Sequence, residues 1–163
     1  MKKLLLMLLV LLIALLLKVF PIKSGIFNHK QATQIEKKQI SLGETKILVE
    51  VADTSDKREK GLSGRNFLPE NEGLLFIFDE MDVRVPFWMK EMKFPIDIIW
   101  INDGVVSEIQ ENLPPPNPNT TQKKLKLYLP QGFFDQVLEV NAGFVAKNKI
   151  KVGESVDLSS VLK

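Results

Sequence analysis

Asp97 lies between Ile96 and Ile98 in the run Ile96-Asp97-Ile98-Ile99-Trp100-Ile101, which contains no other charged residue. A buried carboxylate without a partner is expensive, so Asp97 needs either a counter-ion or a task. Arg65, just after the Gly61–Gly64 turn, is the expected partner, because its planar fork takes a carboxylate bidentately. Such a pair either fixes the fold as a buried salt bridge or orients a ligand at a pocket floor. Trp88 and Lys90 form a second group. On a strand through Phe87-Trp88-Met89-Lys90 they share one face, with Phe87 and Met89 on the other. An exposed Trp beside a Lys can stack on a sugar or other planar ligand, whereas a Trp in a short strand more often belongs to the core. Glu139 and Asn141 make the third group, on one strand face with Val137. Asn141 has a structural job as the N-cap of a helix from Ala142 to Lys149. Glu139 has none, which makes it the stronger functional candidate. Paired with Asp97 it could do glycoside chemistry, which needs roughly 5 to 9.5 Å between the carboxyls.

Other chemistries lack their parts. The chain has no Cys, which excludes thiol catalysis, zinc–cysteine sites and a lipid-modified Cys anchor. Its one histidine, His29, falls in a polar stretch, so neither a His base nor a His metal site is expected. Gly61-Leu62-Ser63-Gly64-Arg65 fails the nucleophile-elbow pattern at its last position. No phosphate loop or dinucleotide fingerprint is present, and no cofactor is expected.

These residues must be positioned by a single domain. Lys2-Lys3 precede the apolar run Leu4 to Leu17, and a helix from Leu4 to Ile22 would be about 28 Å long, close to a bilayer core. The following residues, Lys18-Val19-Phe20-Pro21-Ile22-Lys23-Ser24-Gly25, lack an A-x-A-like cleavage pattern. Residues 1–22 therefore read as a retained signal anchor with the domain extracytoplasmic, the alternative being secretion after cleavage. Residues 23–43 read as a polar stalk and 44–163 as the domain. With Lys2, Lys3 and Lys18 set aside, 19 basic residues face 20 acidic ones, so nothing in the charge favours nucleic acid.

Ile47, Val49 and Val51 alternate as a strand, and Thr54 or Asp56 can cap a short helix ending near Gly61 or Gly64. Leu74 to Phe78 is a strand apolar on both faces. Asn102-Asp103-Gly104 turns Ile96–Ile101 into Val105–Ile109 as a hairpin. Residues 111–131 hold five prolines and cannot be a central strand, which leaves a lid or an extended arm. Six or seven short strands with two short helices indicate an α+β, mainly β domain, a small antiparallel barrel-like sheet.

The stretches GLSGRNFLPENEGLLFIF (61–78), PFWMKEMKFPIDIIWI (86–101) and QVLEVNAGFVAKNKIKVGESV (136–156) resemble the Domain of Unknown Function 192 family. The resemblance covers roughly residues 46 to 158 and implies a small, mainly β, barrel-like fold behind an export signal. It carries no established activity. Glu91 departs from the pattern, which has Asn after FWMK.

Three functions follow. The leading one is a non-enzymatic envelope module, held to the membrane through its N-terminal helix, that binds a ligand or protein partner near Arg65, Trp88, Lys90, Asp97, Glu139 and Asn141. The second is a hydrolase of an envelope polymer using Asp97 or Glu139. The third is an assembly factor contacting its partner through the proline-rich loop. A retained anchor predicts that the mature protein begins at residue 1 or 2. Its intact mass checks this, and a mass matching a start near residue 23 would mean cleavage.

Overall fold

The computed structural model describes residues 36–78 and 83–162. The expected anchor, His29 and the stalk up to residue 35 lie outside the described residues. Among the described residues, nine strands and two α-helices occur in the order β1 (Lys38–Leu42), β2 (Thr45–Ala52), α1 (Ser55–Lys60), β3 (Glu72–Ile77), β4 (Phe87–Trp88), β5 (Ile96–Asn102), β6 (Val105–Leu113), β7 (Leu127–Tyr128), β8 (Gln136–Asn141), α2 (Phe144–Asn148) and β9 (Val156–Asp157). Seven strands form one sheet in the order β6-β5-β8-β3-β2-β1-β9, and β4 and β7 form a separate ribbon.

The main sheet curls into a half-barrel, and the mainly β class expected from sequence holds. The curl follows from hydrogen bonds between its two outer ends. Val106 N donates to Glu154 O at 2.9 Å, Gly153 N to Val106 O at 2.8 Å and Val156 N to Gly104 O at 2.8 Å. These bring the start of β6 against the segment leading into β9.

Two expectations need correction. The sheet is not wholly antiparallel, because β2 and β3 pair in parallel from Leu48↔Glu72 to Ala52↔Phe76. A parallel pair needs a crossover, and α1 with the segment after it supplies one. Residues 38–42, assigned to the stalk, form β1, antiparallel to β2 and paired with β9. Its two buried residues, Ile40 and Leu42, give an alternation too short to stand out among Lys and Gln.

The sheet separates two cores. On one face Leu75, Ile99, Leu138 and Val140 pack with Phe144 and Val145 of α2. On the other, Leu74, Phe76, Ile98, Trp100 and Val137 pack under Phe87, Met89 and Met92. Phe87 is the hub of this second core, edge-on to Phe76 at 5.2 Å and to Trp100 at 6.4 Å. Gly73 lets β3 and β8 close together, because a Cβ there would lie 2.8 Å from Leu138 Cδ1 and 3.0 Å from Glu139 O.

Asp97 belongs to the first face, and the expected Arg65 partner is not there. Its fully buried carboxylate accepts from Asn112 N at 2.8 Å and from Val145 N, in the first turn of α2, at 3.1 Å. The β5–β6 register shifts between Ile96 and Ile98, and Asn112 at φ 55° turns its N–H toward Asp97. One carboxylate thus ties β5 to β6 and caps a helix from another element, where negative charge is favoured. Hydrogen bonds to a charged group contribute roughly 1.5–3 kcal/mol each. Asp97→Ala should therefore cost about 3 kcal/mol or more in urea unfolding, and Asp97→Asn, with one acceptor oxygen, about half of that. A loss under about 1 kcal/mol in the alanine variant would contradict the tie.

Candidate functional site

The second face carries a row of four register-matched residues across β2, β3, β8 and β5: Glu50, Leu74, Glu139 and Ile98. With strands 4.7–4.9 Å apart, Glu50 and Glu139 lie about 10 Å from each other along the row, with Leu74 between. Two carboxyls on one buried face therefore compete for whatever cation the covering loop delivers.

That cation is Arg65, and local structure aims it. Thr54 caps α1 by accepting from Lys57 N at 3.4 Å, and Gly61 ends the helix at φ 48°. Gly64, at φ 78°, supplies a second left-handed turn. The turn is fastened to residues 90–91 by Ser63 Oγ donating to Lys90 O at 2.8 Å and Gly64 N donating to Glu91 O at 3.0 Å. Arg65 then forks Glu50, Nη1 to Oε1 at 2.7 Å and Nη2 to Oε2 at 2.6 Å. The bidentate fork read from sequence exists, but its acceptor is Glu50. The hydrogen bonds from Arg65, with its charge, hold the Glu50 carboxyl below its ordinary range in spite of burial.

Glu139 is left without a hydrogen bond among the described residues. It is 6 % exposed. Burial pushes its carboxyl up to about 8, and the Arg65 charge offsets only part of that rise. Glu139 faces a cavity of about 250 Å³ walled by Leu62, Phe76, Phe87 and Met92, with Arg58 and Trp88 also lining it. Arg58 is held in place by donating from Nη1 to Ile77 O at 2.7 Å and by lying 5.2 Å from the Phe78 ring centroid.

The other expected residues are dispersed. Trp88 is 38 % exposed, on the outer face of the ribbon opposite Leu127, so it is a cavity-wall residue and not core. Phe87 and Met89 point inward, as the alternation requires. Lys90 is absent from the cavity wall. It lines neighbouring grooves, one of about 760 Å³ against Pro115, Pro116 and Pro118. Asn141 does not cap α2, whose N-cap position is Gly143 at φ 85° and whose Val145 N is met by Asp97. Asn141 Nδ2 instead donates to Leu68 O at 2.9 Å and Pro69 O at 3.2 Å, pinning the loop before β3. Asp97 pairs with Val140, the neighbour of Glu139, so the two acids point to opposite faces. A glycosidase pair across a shared substrate is thereby ruled out. Glu91 adopts φ 55°, a region where Asn is enriched, so the Asn of the family pattern fits a backbone requirement.

Sequence reasoning missed Glu50, Arg58, Phe76 and Phe78. For Glu50 a signal existed: if Ile47, Val49 and Val51 face one way, Glu50 shares the opposite face with Ala52, a small apolar residue.

A family model, DUF192, described as an uncharacterized ACR, matches residues 37–158. A crystal structure from Sinorhizobium meliloti 1021, described as a candidate transcription regulator, superposes with TM-score 0.68 at 27% identity, covering 78% of this chain and 97% of that one. A protein of unknown function from Novosphingobium aromaticivorans DSM 12444 gives TM-score 0.66 at 28% identity, covering 78% of this chain and 89% of that one. No curated protein matches the chain.

Removing Arg65 should have two separable effects. Arg65→Ala leaves Glu50 buried and unpaired and should cost about 2 kcal/mol in urea unfolding. It should also raise the Glu139 titration above about 8, because the Arg65 charge that lowers it is gone. Carboxyl-carbon NMR of Glu139 reads this directly, and a downward move would contradict the arrangement.

Proposed function

This chain belongs to DUF192, a family of unknown function, and we propose that its domain is a non-catalytic binding module for a small ligand on the extracytoplasmic side of a membrane. The observation that carries the reading is Glu139. A buried carboxyl with no hydrogen bond among the described residues opens into an aromatic-walled cavity with an exposed Trp at its edge. Ligand sites are largely apolar clefts with a few convergent polar groups, commonly about 300–1,000 Å³ for drug-sized molecules. This cavity, about 250 Å³, suits something smaller.

A binding role is favoured over hydrolysis because Asp97 is committed to two backbone N–H groups on the far side of the sheet. Glu59 and Ser63 also line the cavity, but neither is hydrogen-bonded to Glu139 among the described residues, and the Ser63 hydroxyl is donated to Lys90 O. Residues 44–163 carry 15 basic and 19 acidic residues, which gives no electrostatic reason to expect this domain to bind nucleic acid. The apolar N-terminal run supports the placement at a membrane, with a retained anchor as the proposed attachment.

A fragment library screened by ligand-observed NMR tests the module. Hits are expected to compete for one site and to shift the Trp88 indole resonance. Trp88→Ala should weaken them by about tenfold, as the loss of one aromatic contact would. Lys90→Ala, outside the cavity, should leave them unchanged. Hits indifferent to Trp88→Ala, or no hits at all, would remove the reading.

A further inference from the structure

The chemistry of the ligand can be narrowed from the charges around Glu139, granting that the cavity is the ligand site. An acid with a 6 % exposed side chain can be stabilised by a cation beside it or can remain protonated. Arg65 is the cation whose charge acts on Glu139, among the described residues, and both of its terminal nitrogens are spent on Glu50 at 2.7 and 2.6 Å. It reaches Glu139 only through space. A protonated carboxyl carries one O–H donor, and no hydrogen bond holds either Glu139 oxygen among the described residues.

The rest of the lining is mostly apolar. Among the described residues its other charged members are Arg58, Glu59 and Lys60. Arg65 and Glu50 neutralise one another as an ion pair. No charged residue comes from β3 or β5 in the row beside Glu139, where Leu74 and Ile98 stand. The walls, Leu62, Phe76, Phe87 and Met92, are apolar. A guest must therefore be mostly apolar, small, and able to receive one hydrogen bond at depth.

We propose that the cavity binds a small apolar or aromatic molecule that buries a hydrogen-bond-accepting oxygen against the Glu139 carboxyl, and that it discriminates against the same framework carrying an ammonium group. The oxygen takes the carboxyl's O–H, and a neutral carboxyl offers an ammonium group no counter-charge.

Four probes of matched shape separate the possibilities: benzamide, benzoate, benzylamine and ethylbenzene, titrated into the full chain by calorimetry. Benzamide is expected to bind at least about tenfold tighter than benzylamine and ethylbenzene, since one unmade hydrogen bond at a polar site gives discrimination of that order or more. Its affinity should fall between about pH 6 and about pH 9.5, because the ionised carboxylate has no proton to donate. Glu139→Gln, which donates through its amide and cannot titrate, should bind benzamide without this pH dependence. That separates Glu139 from Lys60 and every other ionisable neighbour. Glu139→Leu should bind benzamide and ethylbenzene alike.

The outcomes distinguish the two levels of the argument. Benzylamine binding tightest, with affinity rising with pH, would show Glu139 acting as a counter-ion. That result overturns the ligand class and leaves the binding module standing. Benzamide and ethylbenzene binding equally to the wild type would remove Glu139 from recognition, again without touching the module. No binding of any probe, together with no hits in the fragment screen, would remove both.

Discussion

Arg65 can fork one carboxylate, and two acids stand on the face it covers. Its planar donor set is consumed by Glu50, so the guanidinium that neutralises β2 cannot also hydrogen-bond β8. This allocation decides the character of the domain's second face. Glu50 becomes a fixed anion locked to the covering loop, and Glu139 is held mostly by desolvation, its carboxyl pushed up to about 8. Had Arg65 split its nitrogens between both acids, neither would be neutral and the cavity would be lined by a satisfied ion network. The fork makes one acid structural and leaves the other chemically available.

The opposite face solves the same problem differently. Asp97 is as buried as any residue in the domain, yet it needs no cation, because two backbone N–H groups meet its oxygens. One of them lies in the first turn of α2, where partial positive charge also accumulates. The sheet thus keeps Asp97 and Glu139 apart, one on each face. That separation is why a pair that looks catalytic in one dimension has no shared substrate space in three.

Much of this frame was legible in the residues. The β5–β6 hairpin follows from an apolar run, Asn-Asp-Gly and a second run, and α1 follows from Thr54 and Gly61. The alternation around Trp88 correctly turned Phe87 and Met89 inward. What could not be read was pairing over distance. Period-2 reasoning places Glu139 and Asn141 on a face but does not say what lies opposite. Asn141 went to the carbonyls of Leu68 and Pro69, seventy-odd positions away, and not to the helix that follows it. The parallel β2–β3 pair was missed because short connections make antiparallel neighbours the default. β1 was missed because two apolar residues among polar ones carry too little pattern.

Glu91 shows how a departure from a family pattern should be weighed. Where the pattern has Asn, a functional reading would assign a role to the amide and then doubt it in this chain. The backbone at φ 55° offers another cause, since Asn enters the left-handed region at lower cost than Glu. The turn it makes is functional at one remove, because Glu91 O receives Gly64 N and so fastens the loop that presents Arg65 to Glu50. The backbone at position 91 thus bears on which acid Arg65 takes, and through it on the protonation of Glu139.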